Sequence, residues 1–187
     1  EEQKQNVSFL DKKTSLIDSL IEKTQEKIEL LKEQKTSLIN EVVTKGLNPD
    51  VEMKDSGVEW IGEIPSHWEI KKLKYIVDEN VESLSGSTNP NLELRYIEIS
   101  DVDSDGNIST PTEYLFSESP LRCRRVCHEG NVIISTVRTY LKSIGLIERE
   151  EKNLICSTGF SVLKPKKGFN SKYIFYLLRS NWFLSKV

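Results

Sequence analysis

Arg122, Arg124 and Arg125 stand just ahead of an apolar run, Val132, Ile133 and Ile134. Ser135, Thr136, Val137, Arg138, Thr139, Tyr140, Leu141 and Lys142 follow it. These side chains are hydrogen-bond donors and flat surfaces rather than acids or nucleophiles. A guanidinium can donate two hydrogen bonds to a guanine edge, hydroxyls can hold phosphate oxygens, and a tyrosine ring offers a flat face. The chemistry expected of such a loop is contact with duplex DNA. The loop around Arg138, with Ser135, Thr136 and Tyr140, would enter the major groove, with Arg124, Arg125 and Lys142 on phosphates. A solvated surface loop with ordinary charges accounts for the same residues, and composition alone leaves both readings open. Residues 83–91 are a second candidate reading loop.

Other chemistries fit less well. The sequence contains no Gly-rich phosphate loop, no Gly-x-Ser-x-Gly elbow and no Gly-x-Gly-x-x-Gly run, so nucleotide-driven motion, acyl transfer and methyl transfer have no recognisable site. Pro49-Asp50 and Glu150-Glu151-Lys152 superficially resemble a metal-dependent nuclease motif, but about a hundred residues separate them. Residues 101–106 begin like a calcium loop. The closing bidentate Glu would fall at position 112, which is Thr112, so a β-turn fits better. Cys123, Cys127, His128 and Cys156 could in principle ligate zinc. The adjacent Cys127 and His128 would point apart in an extended segment, which favours ordinary packing of free thiols. No catalytic residue, metal or cofactor is expected.

The 187 residues carry a net charge of −3, with 37% hydrophobic and 29% charged residues. That composition belongs to a globular chain rather than a disordered one. The charge is unevenly spread. Residues 47–119 hold 5 basic against 16 acidic side chains, whereas residues 120–187 hold 13 against 4. A basic C-terminal third suits a nucleic-acid partner, and mutual neutralisation of the two segments within the fold is the alternative. Three cysteines suit a reducing compartment. With no visible signal peptide or membrane span, a cytoplasmic location is expected.

Residues 1–46 read as one helix. Val7, Leu10, Thr14, Ile17, Ile21, Thr24, Ile28, Leu31, Lys35, Leu38 and Val42 follow an alternating 3,4 spacing, and eight of the eleven are apolar. This is a coiled-coil seam, with Leu10, Ile17, Ile21, Ile28, Leu31 and Leu38 as the expected interface with a partner helix. Gly46 supplies a left-handed stop, and Asn48-Pro49 prevents resumption. A rod of this length cannot bury its stripe on a small domain. It acts either as a spacer between two functional units or as a packing helix of a larger bundle. Residues 47–66 read as a linker with two turns, in which Trp60 and Trp68 pin the chain to a domain. From residue 67 onward the pattern is mixed. Strands are expected over residues 92–100, 107–109, 132–134, 143–147 and 154–163, and Ser171 is the expected N-cap of a last helix. The expected fold class is α+β, a long spacer helix followed by a small mixed α/β domain over residues 67–187.

Several stretches resemble one family. Glu2-Gln3, Phe9-Leu10-Asp11 and Ile17-Asp18 look like the start of its conserved spacer helix, and residues 44–49 are similar to the end of that helix. Residues 54–69, Lys-Asp-Ser-Gly-Val-Glu-Trp-Ile-Gly-Glu-Ile-Pro-Ser-His-Trp-Glu, carry the most specific match. They resemble the opening of a target-recognition domain in the specificity subunits of type I restriction–modification systems. Residues 132–142 and 157–160 are similar to later, weaker motifs of that domain. The resemblance implies a non-catalytic subunit with two recognition domains joined by two antiparallel helices, each domain reading half of a split DNA target. It also implies docking to adenine methyltransferase subunits and, through them, motor-nuclease subunits. This sequence carries one such helix and one such domain, so a second spacer helix from the same or another chain is expected, as are further domain strands beyond Val187. An assembly module with a coiled coil, a protein-binding domain and no DNA role is the competing reading.

Overall fold

A computed structural model describes residues 1–59 and 61–184; Trp60 lies outside the described residues. Helix α1 spans Glu2–Lys45. At ~1.5 Å per residue it is a rod about 66 Å long. Thr14, Thr24, Thr36 and Thr44 each donate a hydroxyl to the carbonyl four residues back, which spends their polar groups inside the helix. Val43 is the helix's buried residue. The helix therefore docks on the domain through its last turns, and the rest of its apolar stripe is exposed.

The helix ends at Gly46, whose N–H donates to the Val42 carbonyl at φ 77° and ψ −165°. This corrects the expected left-handed stop: φ is positive, but ψ is extended, a conformation open essentially to glycine alone. A Cβ there would also come within 3.3 Å of the Trp68 ring, so Trp68 packs against the junction. The expected linker holds more than turns. Strands β1 (Met53–Asp55) and β2 (Glu63–Pro65) pair antiparallel, and β2 packs on the end of α1.

Beyond a short helix α2 (Leu73–Ile76) lie β3 (Val77–Glu79), β4 (Glu93–Ile97), β5 (Thr112–Leu115), β6 (Cys123–Val126), β7 (Val132–Ser135), β8 (Ile144–Leu146), β9 (Leu154–Ser157) and β10 (Phe160–Pro165). Helices α3 (Ser171–Leu178) and α4 (Asn181–Leu184) follow. Two four-stranded sheets form, in the orders β3-β10-β7-β8 and β5-β4-β9-β6. The second sheet is mixed, because β4 and β9 run parallel.

Period-two alternation sorts the side chains into layers. Ile133, Phe160 and Val162 of the first sheet meet Ile97, Leu154 and Cys156 of the second. Val132, Leu163 and Ile144 face Ile174 and Leu178 of α3. Leu94, Tyr96 and Ile155 form the outer face of the second sheet, and Leu84 and Leu92 pack over them. The order of layers is thus helices, sheet, sheet and a strap of residues 80–92.

Three local expectations change. Residues 154–163 are two strands in different sheets rather than one. The chain crosses at Thr158-Gly159, where a Cβ on Gly159 would sit 2.6 Å from the Ile99 side chain. Residues 107–109 contribute a single bridge, Val102 to Ile108, not a strand. The N-cap of α3 is Asn170, whose side chain accepts from the Tyr173 N–H at 3.0 Å, and Ser171 is the first helical residue.

Candidate nucleic-acid interface

Strands β7 and β8 pair antiparallel, with Ile134 opposite Ile144. Both are anchored in the core, and the connection over residues 136–142 is their exposed end. Ser135 is buried at 3% exposure, and its Oγ donates to the Val137 carbonyl at 2.6 Å. Thr136 donates both its N–H, at 2.9 Å, and its Oγ1, at 3.0 Å, to the Gly159 carbonyl. These two hydroxyls shape the loop from below and are occupied by backbone.

Above them the backbone takes a tight course. Arg138 (φ 54°) and Lys142 (φ 55°) both lie in the left-handed region, which costs a side chain other than glycine roughly 1–2 kcal/mol each. Between them a 3-10 turn closes with the Leu141 N–H on the Arg138 carbonyl and the Lys142 N–H on the Thr139 carbonyl, both at 2.9 Å. The result displays Arg138, Tyr140 and Lys142 to solvent. Among the described residues no carboxylate pairs with Arg138 or Lys142. Lys142 also lines a cleft of about 250 Å³ between α1 and the domain, together with Lys32, Lys35, Asp105 and Arg179.

Arg124 and Arg125 stand elsewhere. Arg124 stacks on Phe116 at 4.9 Å and donates to its neighbour's carbonyl on Cys123 at 2.9 Å. Arg125 donates to Ser83 Oγ at 3.3 Å. Arg125 secures the strap through its side chain, and Arg124 through its carbonyl, which accepts from the Leu84 N–H at 2.8 Å. Of the three arginines, Arg122 is the one joined to the loop's base: its carbonyl accepts from the Thr158 N–H at 2.8 Å, next to the Gly159 that holds Thr136, and its side chain is exposed. The antiparallel register of β6 and β9, Cys123 opposite Ser157, brings Arg122 to the loop rather than the expected Arg124 and Arg125, and that register has no signal along the chain. Residues 83–91 belong to the strap.

The other candidates resolve into structural roles. Asp103 is a turn former. Burial works against its ionisation, and hydrogen bonds from Asn107, Asp105 and Gly106 overcome that and hold its carboxyl below the usual range. The three cysteines are buried. Burial pushes the Cys123 thiol up, and contact with Cys127 together with burial raises Cys156 further, so neither is a ready thiolate. His128 is turned to carboxylates, with Nδ1 3.0 Å from Glu150 and Nε2 3.2 Å from Glu82. It clasps the strap to the loop after β8. Among the described residues no group of three metal-ligating side chains converges, and no helix is long and apolar enough to cross a membrane.

The His128 clasp predicts a pH dependence. Hydrogen bonds to Glu150 and then Glu82 raise its pKa above the ordinary 6.5. A histidine raised in the folded state contributes stability that is full below about 6.5 and is lost as pH rises through the folded value. The urea midpoint of the chain should therefore fall slightly between pH 6 and pH 8, and His128→Gln should flatten that slope. The effect is small because solvent screens a partly exposed pair. An unchanged slope in the variant would remove the clasp from the account.

No protein-family model matches the chain. A curated relative, the type I restriction enzyme MjaVIII specificity subunit of Methanocaldococcus jannaschii, is 28% identical over 195 residues, covering all of this chain and 44% of the relative. The crystal structure of the HsdS subunit from Thermoanaerobacter tengcongensis superposes with a TM-score of 0.51 at 30% identity, over 59% of this chain and 30% of that one. A chain from a structure described as the basis of complex assembly and conformational transition of the type I R-M system gives a TM-score of 0.55 at 34% identity, over 63% of this chain and 30% of that one. The chain spans less than half the length of these relatives.

Proposed function

We propose that the chain is part of a type I restriction–modification specificity subunit, like the relatives it resembles, that it reads one half of a split DNA target and that it does no chemistry itself. Helix α1 sets the distance from a second reading unit. Its exposed stripe takes a second spacer helix from the same or another chain. Adenine methyltransferase subunits dock on the assembly, motor-nuclease subunits join them, and the complex works in the cytoplasm.

The observation that carries the reading is the β7–β8 loop. Its base is locked to Gly159, and its exposed end carries Arg138, Tyr140 and Lys142. A fixed loop with unpaired cations is what a polyanion with readable edges requires. Arg138 reads a base edge, and Lys142 and Arg122 hold phosphates.

The test is selection of bound sequences from a random duplex pool, with the chain reconstituted alongside its methyltransferase subunits. Enrichment of a short motif supports the reading. Retention without enrichment leaves a basic scaffold, and no retention favours the assembly module. On the selected site Arg138→Ala should cost about 1–3 kcal/mol and relax one position. An equal loss on every sequence would make Arg138 a phosphate contact, and no loss would take it out of the interface.

A further inference from the structure

The β7–β8 loop exposes more than cations. Val137 is 45% exposed, Tyr140 73% and Leu141 42%. Three apolar or aromatic side chains within five residues of one turn therefore face solvent, while the strands on either side bury theirs. Floppiness does not explain this. The turn is held by the Ser135 and Thr136 hydrogen bonds and by its own 3-10 closure. It also bears two left-handed residues, Arg138 and Lys142, whose cost the rest of the fold must offset.

The surroundings of these apolar side chains are cationic: Arg138 and Lys142 lie within the same turn, and Arg122 joins its base through Thr158 and Gly159. An apolar face rimmed by cations fits a polyanion that offers an apolar group of its own. In the major groove that group is the thymine 5-methyl. The groove is also the right size, since at about 12 Å it admits a two-stranded ribbon such as β7–β8, whereas the minor groove at about 6 Å does not.

We infer that Val137, Tyr140 and Leu141 form an apolar reading face that packs on a thymine 5-methyl group, so that the half-target includes an A·T pair beside the base read by Arg138. This rests on the DNA-reading function proposed above and deepens it. Reading is then shared between hydrogen bonding by Arg138 and methyl contact by its neighbours.

The test begins with the motif selected by the full chain in its reconstituted complex. Each thymine of that duplex is replaced in turn by uracil, which keeps the pairing edge and removes the methyl. One replacement should weaken wild-type binding about fourfold, the equivalent of the ~0.8 kcal/mol gained by burying one methyl-sized group. The double variant Val137→Ala, Leu141→Ala should bind the thymine duplex more weakly and lose the uracil penalty at that position. Its thermal melt should match wild type, because both side chains are half exposed.

A well-defined motif on which every uracil replacement is neutral overturns the inference and leaves DNA reading intact. So does a motif without an A·T pair, or an undiminished uracil penalty in the double variant. Failure to enrich any motif overturns the DNA reading and this inference with it.

Discussion

Gly106→Ala is expected to destabilise the domain by about 3 kcal/mol, combining ~1–2 for a left-handed residue with a side chain and ~1–3 for overpacking. Gly106 has φ 84°. A Cβ there would lie 2.7 Å from the Phe175 ring tip and 2.8 Å from the Ile144 carbonyl, and would press on the Arg179 guanidinium. The arginine end can swing, but the carbonyl is part of β8 and cannot. The turn over residues 103–107 is in turn held by Asp103, which accepts from the Asp105 and Asn107 amides at 2.8 and 2.9 Å, so the turn cannot easily back away. Gly57→Ala is the internal control: φ is 71° there as well, but nothing lies within 4 Å of the added methyl. It should cost only the conformational part, about 1 kcal/mol. Urea unfolding of the two variants separates the terms. Equal losses would mean that the Gly106 contact relaxes freely and that the packing of this turn on α3 and β8 is soft. Because Ile144 opens the strand that leaves the β7–β8 loop, Gly106→Ala should also disturb the proposed DNA binding at temperatures where the domain remains folded.

The same turn shows what a sequence discloses and what it withholds. Asp105-Gly106 marks a turn by local chemistry alone, and the turn is there. That its glycine packs on α3, some seventy residues later, is tertiary and has no local signal. Helix α1 was legible for the first reason: a 3,4 spacing and a Gly-x-Asn-Pro stop are properties of neighbours along the chain. The strands flanking the β7–β8 loop are legible over residues 132–134 and 143–147 as apolar runs between turn signals. β6 was not. Its residues, Cys-Arg-Arg-Val, are partly buried on both faces, and a register shift between Cys123 and Arg125 breaks the alternation. Within the loop, residue types were a fair guide to place and a poor guide to role. The hydroxyls of Ser135 and Thr136 suit phosphate by type, but short hydroxyl side chains compete for nearby backbone first, and here the backbone takes them. Arg138 and Lys142, too long to be satisfied locally, are the ones left facing outward.

Charge at the α1 seam should abolish pairing with a second helix while leaving the domain untouched. Ile21 and Ile28 are 51% and 46% exposed, and Leu10, Ile17, Leu31 and Leu38 are 53–59% exposed. None of them belongs to a core cluster of the domain. An unpaired apolar stripe on a rod about 66 Å long gains nothing from its own domain. Each Leu or Ile fully covered by a partner would gain about 1.5–3 kcal/mol, so the seam can supply most of an assembly's free energy. Ile21→Glu with Ile28→Glu places two carboxylates in the middle of that seam, where each must be desolvated without a counter-ion. Loss of partner binding by at least a hundredfold is expected, read by sedimentation of the chain with the proposed methyltransferase subunits. The urea midpoint of the domain should be unchanged. Val43→Glu is the opposite case, because Val43 is 6% exposed where the helix meets the domain and its carbonyl accepts from the Tyr173 hydroxyl at 3.2 Å. That variant should lower domain stability. If the two seam carboxylates left assembly intact, the seam would not be the pairing face. If they destabilised the domain as well, the helix would be folding back on it, and α1 could not act as a ruler between two reading units.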